Sequence, residues 1–114
     1  MISIPKFSGD ITIFPHVWDL EINFKGQTRT YDVWFDFTGD IEEGESFKAN
    51  HEGEPTSCFY NYIESPKVER IYRVERMDEE DDDYNLEDEL YQAILAAVEE
   101  HIEANSEDFI EFLN

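Results

Sequence analysis

Apolar and polar residues alternate with a period of two from Ile11 to Phe14 and again from Val17 to Phe24, with Pro15 interrupting the ladder between them. This pattern predicts strands in which Trp18, Leu20, Ile22 and Phe24 share one face. Lys25-Gly26 supplies a short turn, and Tyr31, Val33, Phe35 and Phe37 repeat the same period in a return strand, the clearest hairpin of the chain. Thr38 to Pro55 holds three of the five glycines among scattered glutamates and reads as a polar loop with a short strand around Phe47. Thr56 to Ile63 and Val68 to Met77 read as two further strands separated by Ser65-Pro66. Half of the basic residues, Lys67, Arg70, Arg73 and Arg76, lie in the last of these or immediately before it. Their spacing of three scatters them over both strand faces, and their expected role is structural pairing with acids.

Helical periodicity replaces the strand pattern near the C-terminus. Leu86, Leu90, Ile94, Leu95, Val98 and Ile102 recur on one helical face suited to covering a sheet. Asn85 is the expected N-cap, with Asp88 at the capping-box position and Glu87 and Glu89 in the first turn, where the helix dipole favours anions. Ser106 is expected to cap a final short helix docked by Phe109, Ile110, Phe112 and Leu113. The pattern predicts a single α+β domain spanning 1–114, an antiparallel sheet of about four or five strands covered by the C-terminal helices.

Charge changes this picture most. Asp and Glu number 29 against 8 Lys and Arg, a formal net charge of -21. The last 38 residues hold 15 acids and no Lys or Arg. Aromatics at 15% still provide for a core, unlike an acidic disordered tail. Such a charge repels phosphates and anionic headgroups, which argues against direct binding of nucleic acid or membrane and for cationic partners. One cysteine, Cys58, excludes an internal disulfide, reads as a core thiol and fits a reducing, cytoplasmic setting. No targeting segment or membrane-spanning run stands in the sequence. A monomer is expected.

The densest acidic segment is 78–89, where nine of twelve residues are Asp or Glu. Calcium takes six to eight oxygen ligands without strict geometry, which a carboxylate-rich loop running into a helix can supply. Asp81, Asp83, Asn85 and Glu87 alternate as the early positions of an EF-hand loop do, yet Leu86 stands where glycine is required and Gln92 where the bidentate glutamate belongs, so the segment is not an EF-hand. Asp81, Asp82 and Asp83 followed by Glu87-Asp88-Glu89-Leu90-Tyr91 resemble the calcium bowl of large-conductance potassium channels over about a dozen residues. That resemblance implies side-chain ligation by Asn85 and Glu87, with the Asp81 to Asp83 run supplying carbonyls or outer-shell charge. With its small size and acidity, the chain is similar to the cyanobacterial calcium-binding proteins of the CcbP type, which implies a non-catalytic calcium buffer or sensor. A second candidate set is Asp36, Thr38, Asp40 and Glu42, with Gly39 and Gly44 letting the backbone fold around an ion and Asp32 on the same strand face as Asp36.

Runs of acids are also ordinary solvated surface. The competing functional reading is an acidic inhibitor, a nucleic-acid mimic or immunity-type protein, that docks on a basic protein surface with Glu99, Glu100, Glu103, Glu107, Asp108 and Glu111 spread along its C-terminal helices. His16, His51 and His101 are scattered, and no zinc, phosphate-loop or nucleophile-base pattern occurs, so no enzyme is expected. Trp18 and Trp34 read as hairpin core, Trp34 lying opposite the Tyr31 face.

Overall fold

The computed structural model describes residues 2–5, 7–49, 53, 55–77 and 85–113, with the backbone alone for 47–49 and 55–56. It is a mixed α/β fold in which strands dominate. In chain order come β1 (Ile2–Ser3), a 3-10 turn (Ile11–Ile13), β2 (His16–Phe24), β3 (Gln27–Ala49), β4 (Pro55–Arg76), β5 (Asn85–Leu86), α1 (Asp88–Ala104), α2 (Ser106–Phe109) and a 3-10 turn (Ile110–Leu113). The sheets are smaller than the pattern predicts: β2-β3-β4 form one antiparallel sheet and β1-β5 a second, two-stranded one.

Between β2 and β3 the Lys25-Gly26 turn forms as expected. Both residues have positive φ, 49° and 77°, as a type I′ turn requires, and Phe24 pairs with Gln27 to close it. Farther along β2 the register shifts between Val17 and Leu20, so that Trp18 and Asp19 together oppose Asp32. Asp19 adopts φ 52°, which an aspartate tolerates, and the Asp32 carboxylate accepts its amide N–H at 2.9 Å. The extra residue puts Val17, Leu20, Ile22 and Phe24 on the buried face and ejects Trp18. The expectation that Trp18 belongs to the core is therefore wrong: it is 69% exposed.

Two expected boundaries disappear. Segment Thr38 to Pro55 is no loop, because β3 runs on through it to Ala49, and β4 passes Ser65-Pro66 without a break. Ser65 takes φ 52° there, and the register skips between Thr38–Lys67 and Asp40–Glu64, a bulge that accommodates a proline inside a sheet. Ile11–Ile13 is likewise not a strand. Asp10 caps it, accepting hydrogen bonds from the Thr12 amide and hydroxyl that hold its carboxyl below the usual aspartate range.

One sheet face carries Val17, Val33 and Val74 in one row and Phe35 against Ile71 in the next, and α1 packs Leu90, Ile94, Val98 and Ile102 onto this face. The helix starts two residues later than predicted, with Glu87 rather than Asn85 at the cap, because Asn85 and Leu86 pair with Ser3 and Ile2. Beyond the helix, β3 and β4 continue as a two-stranded arm from Asp40–Glu64 to Ala49–Pro55. At a strand rise of about 3.3 Å per residue the arm extends roughly 30 Å, in keeping with the 57 × 33 × 22 Å molecule. On it Tyr60 lies over Gly44, where a Cβ would meet the ring at 2.4 Å, and Phe59 is 66% exposed. Cys58 is exposed on this arm, not a core thiol. Among the described residues no helix is long and apolar enough to cross a membrane.

Candidate functional site

The residues named for calcium fall in three places. Asp81, Asp82 and Asp83 lie outside the described residues. Asn85 sits in β5 and its side-chain oxygen accepts the Ser3 hydroxyl at 2.9 Å. Glu87 is bonded to the Lys25 ammonium at 2.9 Å, so this carboxylate already holds a cation, beside Asp88 and Glu89 in one shallow concavity.

Asp36, Thr38, Asp40 and Glu42 lie along β3, exposed, in a row rather than a ring. At about 3.3 Å per residue the four span roughly 20 Å of strand, farther than the ligands of one calcium converge. Cations also stand across the row: Arg70 pairs with Asp36 and Lys67 with Thr38. Thr38 donates its hydroxyl to Glu69 at 3.2 Å, and Asp36 accepts the Phe37 amide. Asp32 does share the strand face of Asp36, but it is buried at 4% exposure and occupied with Asp19. Among the described residues no three His, Cys, Asp or Glu side chains come together as a metal site, and the second set is spread along its strand.

The basic residues of β4 explain why. Register shifts beside Phe35 and Phe37 each absorb one β4 residue, which turns a spacing of three into a single face. Lys67, Arg70 and Arg73 therefore stand together opposite Thr38, Asp36 and Trp34, while Arg76 alone of the four pairs with Tyr31 on the other face, so the expected scatter over both faces holds only for Arg76.

On this same face an aromatic ladder runs across the sheet. His16 stacks on its cross-strand partner Trp34 with centroids 3.9 Å apart and planes 8° from parallel, Trp18 leans on His16 at 4.0 Å, and Arg73 lies 5.5 Å from the Trp34 ring centre on the neighbouring strand. Asp32 lies beneath, 3.8 Å from His16 Nε2, which makes no hydrogen bond. Burial holds the His16 pKa below its usual value, outweighing the Asp32 charge that would raise it. A groove of about 560 Å³ is lined by this ladder and by the C-terminal residues Asp108, Phe109, Glu111 and Phe112. Sequence reasoning missed it. The available signal was the His16-x-Trp18 pair with Trp34 in the partner strand, concealed because the one-residue bulge was not foreseen.

A pH prediction follows from His16. Its native pKa lies below the ordinary value of 6.5, so the unfolded chain takes up the proton first. The stability that neutral His16 contributes is complete above pH 6.5 and is lost as pH falls through the lowered native value. Urea unfolding of the wild type and of His16→Phe should show a stability difference that moves against the wild type on going from pH 7.5 to pH 5. A pH-independent difference would mean that His16 titrates normally. Comparison with known protein families, curated proteins and solved structures finds no match.

Proposed function

We propose that this chain is a non-catalytic acidic binding protein that docks on a basic protein surface in a reducing, cytosolic compartment, in the manner of a nucleic-acid mimic or immunity-type inhibitor. The observation that supports the reading is the outward side of α1 and its continuation. Glu89, Glu100 and Glu103 are exposed on α1 at intervals that keep them on one stripe, and Glu107 is exposed in α2 just beyond it. At 1.5 Å per helical residue the stripe on α1 spans roughly 21 Å, a spread of charge suited to a surface and too long for one ion. Glu99 turns inward and accepts the Val68 amide at 3.0 Å, so it belongs to the fold. Long-range attraction from a net charge of -21 would speed encounter with an Arg- and Lys-rich cleft.

A second reading, a calcium buffer or sensor, draws support from the acidic run that ends at Glu87, Asp88 and Glu89 around Lys25. On that reading a bound calcium would compete with the Lys25 ammonium for Glu87. One pair of measurements separates the two. Affinity capture from cell extract should retain a basic protein that is released at 0.5 M salt and is not retained by the triple variant Glu100→Gln, Glu103→Gln, Glu107→Gln. Calorimetry in moderate salt should give only weak, equal heats for calcium and magnesium. Strong calcium-selective heat with no basic partner would favour the second reading over the first.

A further inference from the structure

We infer that the groove between the aromatic ladder and the C-terminal segment receives an arginine side chain of the basic partner, and this inference rests on the reading just given. Three observations select that occupant. The first is the free indole: Trp34 is stacked by His16 on one side and approached by Arg73 from the next strand, whereas Trp18 remains 69% exposed at the mouth. An indole face open to solvent attracts a cation through its quadrupole, and a planar guanidinium both stacks and bonds where an ammonium acts as a point charge. The second is charge complementarity. Asp108 and Glu111 line the same groove as Trp18, so a guanidinium lying on that indole has acidic residues in the groove toward which its N–H groups can be directed. The third is wall chemistry: Phe112, 43% exposed, adds apolar surface that an arginine's methylene stem covers while its head reaches the acids.

Arginine stacking already recurs in this chain. Arg29 lies 5.2 Å from the Phe24 ring centre and Arg70 4.7 Å from that of Tyr72. In the groove Trp18 and the acids are present, and Arg73 lies against Trp34, which leaves the exposed Trp18 for a guanidinium from a partner. His101 also lines the groove, and Asp32 and Arg73 flank the ladder; an added guanidinium thus joins three carboxylates and the charge of Arg73, against a surplus of acid.

The test compares octa-arginine with octa-lysine, peptides of equal charge, by calorimetry and tryptophan fluorescence on the full chain. Both should bind in low salt, octa-arginine roughly threefold to tenfold more tightly and with a change in indole emission. In Trp18→Ala, shown to be folded by circular dichroism, the preference should vanish while the shared, salt-sensitive binding remains. The double variant Asp108→Asn, Glu111→Gln should reduce the same preference with Trp18 in place. Equal affinities in the wild type, or a preference that survives Trp18→Ala, would overturn the groove assignment and leave the general acidic-docking reading standing. Failure of both peptides to bind would remove both.

Discussion

Replacing Phe109 with alanine is expected to lower the unfolding free energy by about 3–5 kcal/mol, the cost of emptying a packed aromatic site. Phe109 is buried, its ring centre 6.1 Å from both Phe35 and Phe37 and 5.7 Å from His101. It is the most buried of the apolar contacts, with Ile110 and Leu113, through which the short C-terminal segment is packed onto the core. A helix of four residues has almost no stability of its own, so packing must hold it in place. The loss is large against the 5–15 kcal/mol that holds a typical domain, and Tm should fall by more than about 10 °C. Phe112→Ala is the comparison: that ring is partly exposed, and its removal should cost about 1 kcal/mol or less. Urea denaturation of both variants checks the contrast. Equal losses would mean that Phe109 does not anchor the segment and that the groove's acidic wall is positioned by something else.

The parts of the fold legible in the sequence are those governed by neighbours in the chain. Lys25-Gly26 with alternating residues on both sides defines the first hairpin, and Leu90, Ile94, Val98 and Ile102 define the buried face of α1, because turn geometry and helical period act over a few residues. What was not legible depends on partners far away. Trp18 leaves the core because Asp32, thirteen positions later, captures the Asp19 amide and stabilises a bulge that shifts every inward residue before it by one. β3 continues past Thr38 although its glycines and glutamates suggest a loop. There Gly39 and Gly44 are places where the Ile63 and Tyr60 side chains of β4 come too close for a Cβ, with Gly39's placed 2.7 Å from Ile63 Cγ2. A glycine covered by a cross-strand aromatic ring belongs to a sheet as readily as to a turn.

The candidate sites divide along the same line. The acidic run was visible as composition, which says how much charge there is and nothing about where it points. Asp36, Thr38, Asp40 and Glu42 looked like converging ligands only while their segment was read as a loop; as a strand they form a row with Lys67 and Arg70 opposite. The groove needed three conditions at once: the bulge that exposes Trp18, the pairing that stacks His16 on Trp34, and the docking of Phe109 that brings Asp108 and Glu111 into the same lining. Each is a tertiary event, and none has a spacing signature in the chain.

Replacing Ser106 with alanine is expected to cost about 1–3 kcal/mol, far more than the loss of one hydroxyl from a surface. Ser106 is not the N-cap that its position suggests; Asn105 holds that place. Its buried hydroxyl accepts the Ile63 amide N–H at 2.9 Å and donates to the Glu103 carbonyl at 3.0 Å. Ile63 stands just before the irregularity at Ser65-Pro66, where the register of β3 and β4 shifts. Alanine would leave that buried N–H without a partner in a space the hydroxyl now fills, and the desolvation penalty is then felt in full. Glu99 performs the equivalent service for Val68 on the other side of the bulge, so the C-terminal helices supply acceptors on both flanks of a defect in β4. Hydrogen exchange distinguishes this from a general weakening. In Ser106→Ala the Ile63 amide should lose protection by roughly tenfold or more beyond the global change, since 1.4 kcal/mol corresponds to a factor of ten. Glu99→Gln, which keeps a neutral oxygen for Val68, should cost less than Glu99→Ala. If Ile63 exchanges no faster than its neighbours in the serine variant, the hydroxyl does not hold the arm of β4 to the helices.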